Sequence, residues 1–376
     1  MALKKYSLGQ LLQRNNECNE NLEFGASDVR GVLNTKGISS TKVGVDGRDL
    51  SKFIVVRPGG FIFNHRVHDK LGLGYNTTDN SFIFTNDYVS FYVKPEVKGI
   101  ILLPDYLYIW FLRPEFDRYM LYKTYGSATL FFNWENMCEL EIELPETTIQ
   151  QKYVDIYNAM VANQQSYECG LEDLKLACEG YIEDLRRRLP TQKIGRYITQ
   201  KNVRNKENNN TFVVGLSTKK EFREAQSRVN REELGNYKIV EPDEFAFVPT
   251  TDTWKVLAFA QNKFGKAAVV SPIYEVFSVD KSAVVPEYLA IWFSRNEFDR
   301  YARYNSWGSA RENFSFEDME NVQIPVPAIG IQKAIAEIYL AYTSRKKINE
   351  QLKTNIKEIC PILIKGSLEE GKTHEH

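Results

Sequence analysis

Five cysteines are all this 376-residue sequence holds: Cys18, Cys138, Cys169, Cys178 and Cys360. No two of them form a CxxC pair, and five make no even disulfide framework. Reduced, buried thiols in the cytoplasm are the expectation. Histidine is scarcer still, with four residues, two of them at positions 374 and 376. His65 and His68 stand three apart without a clear Cys or carboxylate partner set, so no metal site is expected. The longest apolar run, 99–111, is interrupted by Pro104 and Asp105. It falls short of the ~20 residues a membrane span requires. Residues 1–17 lack a continuous apolar core, so no secretory signal is expected.

The motifs of common chemistries are missing as well. There is no GxxxxGK[ST] phosphate loop, no HExxH and no serine elbow. No glycine-rich cofactor loop with an NPPY or DPPY partner occurs, as an amino-methyltransferase would show. Gly72-Leu73-Gly74 is a lone GxG and reads as a turn. Asp117 and Asp299 sit beside Arg118 and Arg300, and they read as salt-bridged surface residues. No catalytic residue and no bound cofactor is expected of this chain.

Net charge is −1, which argues against a simple nucleic-acid glue, but the charge is unevenly spread. Residues 30–98 hold 10 Lys and Arg against 6 Asp and Glu; residues 192–270 hold 14 against 9. Residues 99–150 are acidic, with 3 against 8. Two separated basic stretches suit nucleic-acid contact and equally suit solvated surfaces.

The dominant feature is a duplication. Residues 104–157 align without a gap to 286–339, an offset of 182, with 25 identities in 54 positions. Both copies carry YL-x-IWF-x-R-x-EFDRY, then Gly-Ser-Ala (126–128 and 308–310), then Pro-x3-Ile-Gln (145–150 and 327–332). Upstream the copies match only loosely, at offsets of 184 to 186. Each half therefore has a diverged front and a shared back. The period is far too long for a solenoid, so two domains are expected.

The fronts read as β structure: short Val-, Ile-, Phe- and Tyr-rich runs at 53–56, 61–63, 82–84 and 89–93 are separated by Gly, Pro and Asn. Runs at 245–248, 256–260, 267–270 and 274–279 repeat the pattern. One helix is expected over 104–122 and its copy over 286–304, each opened by Pro. Long helices follow. Steps of four and three from Ile149 pass Tyr153, Ile156, Met160, Asn163, Tyr167, Leu174, Cys178, Tyr181 and Leu185. The same steps from Ile331 pass Ile335, Ile338, Tyr342, Arg345, Asn349, Leu352, Ile356, Ile359 and Leu363. Both describe a coiled-coil seam. Pro190 blocks continuation of the first helix, and the second is expected to end or kink at Pro361.

Two diverged β-rich fronts, two similar long helices and the Gly-Ser-Ala … Pro-x3-Ile-Gln junction together resemble the specificity (S) subunits of type I restriction–modification systems. Residues 213–219 (VVGLSTK) and Asn64-x-Arg66 followed by Gly72-Leu73-Gly74 resemble further family segments. The resemblance spans residues 6 to about 366. It implies an α+β fold with two β-rich target recognition domains held apart by two long antiparallel helices. The implied division is 1–147 for the first recognition domain, 148–190 for a central helix and 191–329 for the second domain. A C-terminal helix then covers 330–366 and a disordered tail 367–376. It also implies a non-catalytic cytoplasmic subunit that reads one half of a split DNA target with each domain. Two methyltransferase subunits would dock on it, carrying the S-adenosylmethionine, and two motor-nuclease subunits would join for restriction. A two-headed scaffold joining partner proteins without reading DNA is the alternative.

Base readout in the major groove needs Arg, Asn, Gln, Ser or Thr, and phosphate contact needs Lys or Arg. Under this resemblance the candidate DNA-binding residues of the first front are Lys36, Lys42, Arg48, Lys52, Asn64, His65, Arg66 and Lys70. Those of the second are Lys219, Lys220, Arg223, Arg228, Arg231, Thr250, Thr251, Trp254 and Lys255.

Overall fold

The computed structural model describes residues 3–40, 47–126, 129–225, 233–250, 256–307 and 312–373. The chain divides into two units. Unit 1 comprises Met1–Ser166 and Ile348–His376, and unit 2 comprises Tyr167–Lys347.

Unit 1 is built on four antiparallel strands, β1 (Leu12–Asn15), β2 (Phe61–Asn64), β3 (Leu73–Tyr75) and β4 (Tyr88–Val93), in the order β1-β4-β2-β3. Unit 2 repeats it with β5 (Ile198–Lys201), β6 (Phe245–Phe247), β7 (Phe259–Gln261) and β8 (Glu275–Val279), ordered β5-β8-β6-β7. Diverged sequences thus give one topology, because the aromatic residues that fill the core keep their places. Phe61 stacks on Phe91 with centroids 5.1 Å apart, and Phe245 stacks on Phe277 at 5.1 Å. Phe111 and Phe293 meet Phe61 and Phe245 edge-on, each at 6.1 Å. Such pairs add about 0.5–1.5 kcal/mol each beyond the area they bury.

The helix expected over 104–122 is two helices, α1 (Pro104–Phe111) and α2 (Pro114–Lys123). Pro114 forces the preceding Arg113 into extended backbone, with ψ 143°. The second copy breaks at the same place, into α4 (Pro286–Ser294) and α5 (Asn296–Tyr304), although Asn296 replaces the proline. There Arg295, with ψ 149°, lies over the Trp292 ring and is paired with Glu183. Arg113 lies likewise over Trp110.

The long helices are α3 (Thr147–Arg188, 42 residues) and α6 (Ile329–Thr373, 45 residues). Gln150 and Gln332, the last residues of the shared junction, explain how both begin. Gln150 is buried, accepts from the Leu103 amide and donates to the carbonyls of Ile101 and Pro145. Gln332 makes the same three bonds with Val285, Ala283 and Pro327. Each amide satisfies both its own polar atoms and the backbone at the entry to α1 or α4.

Within each unit the helices run antiparallel. In unit 1, Lys152 pairs with Glu370, and Gln164 Nε2 donates to Asn349 Oδ1 at 2.8 Å. In unit 2, the Arg345 guanidinium lies over the Tyr167 ring. The seam differs locally from the sequence expectation. Ile156, Asn163, Tyr181 and Ile331 are exposed, whereas Val154, Gln164 and Ile182 are buried. At these places the inward position falls one residue after the stepped one, whereas Ile149, Cys178, Leu185, Ile335, Asn349 and Leu363 are buried as the pattern expects.

The end of α6 corrects the expected ending. The helix continues through Pro361 to Thr373, and residues 367–373 are not a disordered tail. Cys360, Leu363 and Ile364 are buried in the unit 1 core, which offsets the cost of about 3 kcal/mol for an interior proline. Beyond them, Ser367 is fully buried, and its hydroxyl lies 2.6 Å from Tyr106 Oη. Gly371 is buried beside Leu3 and Pro145. Cys360, Ile364 and Ser367 stand 182 positions after Cys178, Ile182 and Leu185, which occupy the same role in unit 2.

Candidate nucleic-acid interface

β2 ends at Asn64, whose Oδ1 accepts from the Arg66 amide at 3.0 Å and turns the chain outward. Residues Arg66–Val67 then pair with Leu130–Phe131 as a short antiparallel ladder. The Phe132 amide donates to the His65 carbonyl at 2.9 Å, and the His65 ring stacks on Phe131 with centroids 5.5 Å apart. The backbone around Arg66 is therefore fixed, while its guanidinium is exposed. Asp87 stands 3.9 Å away, an exposed pair worth at most about 1 kcal/mol. A phosphate or base edge can compete for such a side chain.

Unit 2 builds the corresponding place from different residues. Thr250 bridges Asn313, and the Phe314 amide donates to the Pro249 carbonyl at 2.7 Å. Thr250 is 184 positions after Arg66, and Asn313 is 182 after Phe131. In both units a residue of the diverged front is held against the segment that follows the Gly-Ser-Ala repeat. Tyr125 bridges Phe131, and Trp307 bridges Asn313, by matching pairs of backbone hydrogen bonds.

The other candidates scatter. Arg48, Lys52 and Lys70 are exposed in unit 1, with Lys52 4.0 Å from Asp49. Lys219 is exposed in a hairpin turn, its amide donating to Ser217 Oγ. Arg223 is half-buried and donates Nε to the Leu216 carbonyl across that hairpin. Lys42, Arg228, Arg231, Thr251, Trp254 and Lys255 lie outside the described residues.

Lys36 and Lys220, both expected as exposed contacts, turn inward instead. Lys36 Nζ is buried, donates to the Phe111 carbonyl at 2.6 Å, and has Asp117 as its ion-pair partner at 2.8 Å. Lys220 donates to the Leu257 carbonyl and pairs with Asp299. Burial pushes both ammonium groups below the ordinary lysine range; the aspartates oppose that shift without reversing it. Asp117 and Asp299 are thereby partners of buried lysines. Arg118 and Arg300 pair instead with Glu115 and Glu297.

Reasoning from residue types missed the aromatic partners Phe131 and Tyr125, and their unit 2 counterparts Asn313 and Trp307. The signal available was the repeat itself. It also missed an open cleft of about 740 Å³ in unit 2, whose lining includes Arg204, Lys206, Asn209, Asn210 and Lys266. Among the described residues no group of three or more His, Cys, Asp or Glu could hold a metal. No helix among them is long and apolar enough to cross a membrane.

Two copies of one frame thus present different side chains at one corresponding place. Residues 259–358 match the model of the type I restriction modification DNA specificity domain. Segment 286–339 lies wholly inside that match, and 104–157 repeats it. Over that stretch the chain is similar to the type I restriction modification DNA specificity domain. The fold agrees. The type I restriction-modification system S subunit from M. genitalium superposes with a TM-score of 0.61 at 10% identity, covering 98% of this chain and 96% of that one. The HsdS subunit from Thermoanaerobacter tengcongensis is matched at 12% identity and a TM-score of 0.40, with 98% and 96% covered. Comparison with curated proteins returns no match.

Proposed function

We propose that this chain is the DNA specificity subunit of a type I restriction–modification complex, with unit 1 reading one half of a split target and unit 2 the other. The observation that carries the proposal is the correspondence of Arg66 and Thr250. Shared backbone pairing holds each in place, while the side chain offered differs. Arg suits a bidentate contact to guanine, and Thr suits a hydroxyl contact or the thymine methyl. Two heads built this way read two different sequences from one frame. The subunit itself is non-catalytic and works in the cytoplasm. Two methyltransferase subunits bind it and bring S-adenosylmethionine, and two motor-nuclease subunits complete the restriction complex.

The test is binding of the chain, assembled with its methyltransferase, to duplex DNA over a range of salt. Phosphate contacts give a log–log slope of about −0.9 per neutralised phosphate. The proposal expects a steep slope and a preference for one bipartite sequence over random duplex. A scaffold that does not read DNA gives neither.

A further inference from the structure

A second turn stands beside the loop that carries Arg66. β4 is entered through a turn at 85–88, in which the Tyr88 amide donates to the Thr85 carbonyl at 3.2 Å. β8 is entered through the same turn at 271–274, where the Tyr274 amide donates to the Ser271 carbonyl at 3.1 Å. Strand register makes the two turns equivalent. Phe91 stands opposite Phe61 and Phe277 opposite Phe245, and Phe277 lies 186 positions after Phe91. Asp87 therefore corresponds to Ile273. Carried on toward the turn, the register sets Asp87 opposite His65 and Ile273 opposite Pro249, the residues that precede Arg66 and Thr250. In unit 1 the placement is direct: His65 Nδ1 donates to the Asp87 carbonyl, and the Asp87 carboxylate lies 3.9 Å from the Arg66 guanidinium.

The Asp87 and Arg66 side chains are each 58% exposed, and Ile273 is 66% exposed. An isolated exposed isoleucine is ordinary on a protein surface. Here two neighbouring positions change chemistry together, from Arg with Asp to Thr with Ile, on a frame whose backbone pairing is kept. Tyr88 and Tyr274, one residue further on, are identical.

The two pairs of side chains complement two different base pairs. In the major groove a G·C pair offers the N7 and O6 acceptors of guanine beside the N4 donor of cytosine. A guanidinium next to a carboxylate has donors for the first and an acceptor for the second. A carboxylate also repels phosphate, so a base edge is the DNA group that Asp87 suits. Thr and Ile together offer one hydroxyl and a cluster of methyl groups. They suit an A·T pair, through the thymine methyl and an acceptor beside it.

We infer that Asp87 and Ile273 are specificity-determining residues that act with Arg66 and Thr250, so that unit 1 selects a G·C pair and unit 2 an A·T pair at the corresponding place. This rests on the proposed function, because it names the bases that each head reads. The test uses the full chain assembled with its methyltransferase. Its motif is mapped from modified bases, and binding is then measured on duplexes carrying each of the four base pairs at each motif position. Arg66→Ala and Asp87→Ala should relax the same position, a G·C pair in the wild-type motif. Asp87→Ala should lower discrimination there roughly tenfold while leaving affinity for random duplex undiminished. Ile273→Ala should relax an A·T position in the other half. Thr250→Arg with Ile273→Asp should convert that position to G·C. The Asp87 substitution removes only exposed side-chain atoms and keeps the carbonyl that His65 uses, so the thermal midpoint should stay at the wild-type value. Unchanged discrimination in Asp87→Ala, or relaxation at a position that is not G·C, overturns the inference. So does an equal loss of affinity for every duplex, which assigns Asp87 to holding the loop. A wild-type complex with no sequence preference overturns the functional proposal itself and, with it, this pairing.

Discussion

Lys36 and Asp117 form a buried ion pair, 2.8 Å apart, that ties a diverged hairpin turn to the shared helix α2. Lys220 and Asp299 do the same in unit 2. Both lysines sit in left-handed backbone with φ 65°, so one turn geometry aims both side chains. Removing one partner of such a pair strands a buried charge, whereas replacing both with apolar residues is often neutral. Lys36→Met should therefore cost unit 1 about 3–5 kcal/mol. The double change Lys36→Met with Asp117→Leu should recover most of that. Hydrogen exchange resolved by peptide is the readout. The single variant should lose protection in unit 1 with unit 2 unchanged, and equal losses in both units would refute the local role.

Tyr106 and Tyr288 are fully buried equivalents, and burial pushes each hydroxyl up to about 12. An unfolded tyrosine ionises near 10. Between those values the unfolded chain releases the proton first, so stability is intact below pH 10 and falls as pH rises through the window. Each tyrosine steepens that fall by about 1.4 kcal/mol per pH unit. Tyr288→Phe should cost about 1 kcal/mol at neutral pH, since the hydroxyl donates to the Pro325 carbonyl at 2.9 Å. It should also flatten the alkaline limb of a denaturant series taken from pH 9 to 12. A limb as steep as the wild type's would contradict the assignment.

Deleting residues 367–376 should destabilise unit 1 and spare unit 2. The deletion removes the Ser367 partner of Tyr106 and the Glu370 partner of Lys152. It also uncovers the surface against Leu3 and Pro145 where Gly371 packs. Ser367→Ala alone should cost about 1 kcal/mol. Unchanged exchange in unit 1 after the deletion would show that the last two turns of α6 contribute nothing.

The parts of this fold legible from sequence were those written as identity or strong periodicity. The offset of 182 announced two units, and the Pro-x3-Ile-Gln junction marked where α3 and α6 begin. The break at Arg295 left no mark, because no proline follows it and a stacked guanidinium and an ion pair hold the bend. The seam slipped by a residue at Gln164, where Asn349 supplies a buried amide partner that local pattern does not reveal. The helical nature of 367–373 was hidden by polar composition, since Ser367 replaces an apolar Leu185.

The candidate site was legible by chemistry and not by placement. Arg66 and Thr250 were among the readout residue types, yet nothing local shows that each pairs with a segment more than sixty residues away. Lys36 and Lys220 looked like phosphate contacts because they lie in basic stretches. Their fate is decided by Asp117 and Asp299, in segments that seemed to be surface.

The most direct test of two independent reading heads is the map of modified bases in DNA from cells carrying this chain with its methyltransferase. One bipartite motif is expected for the wild type. Arg66→Ala should relax or change one half of that motif and leave the other half and the gap unchanged. Thr250→Ala should do the reverse. A motif untouched by both substitutions, or both halves lost together in a chain that still assembles, would contradict the account.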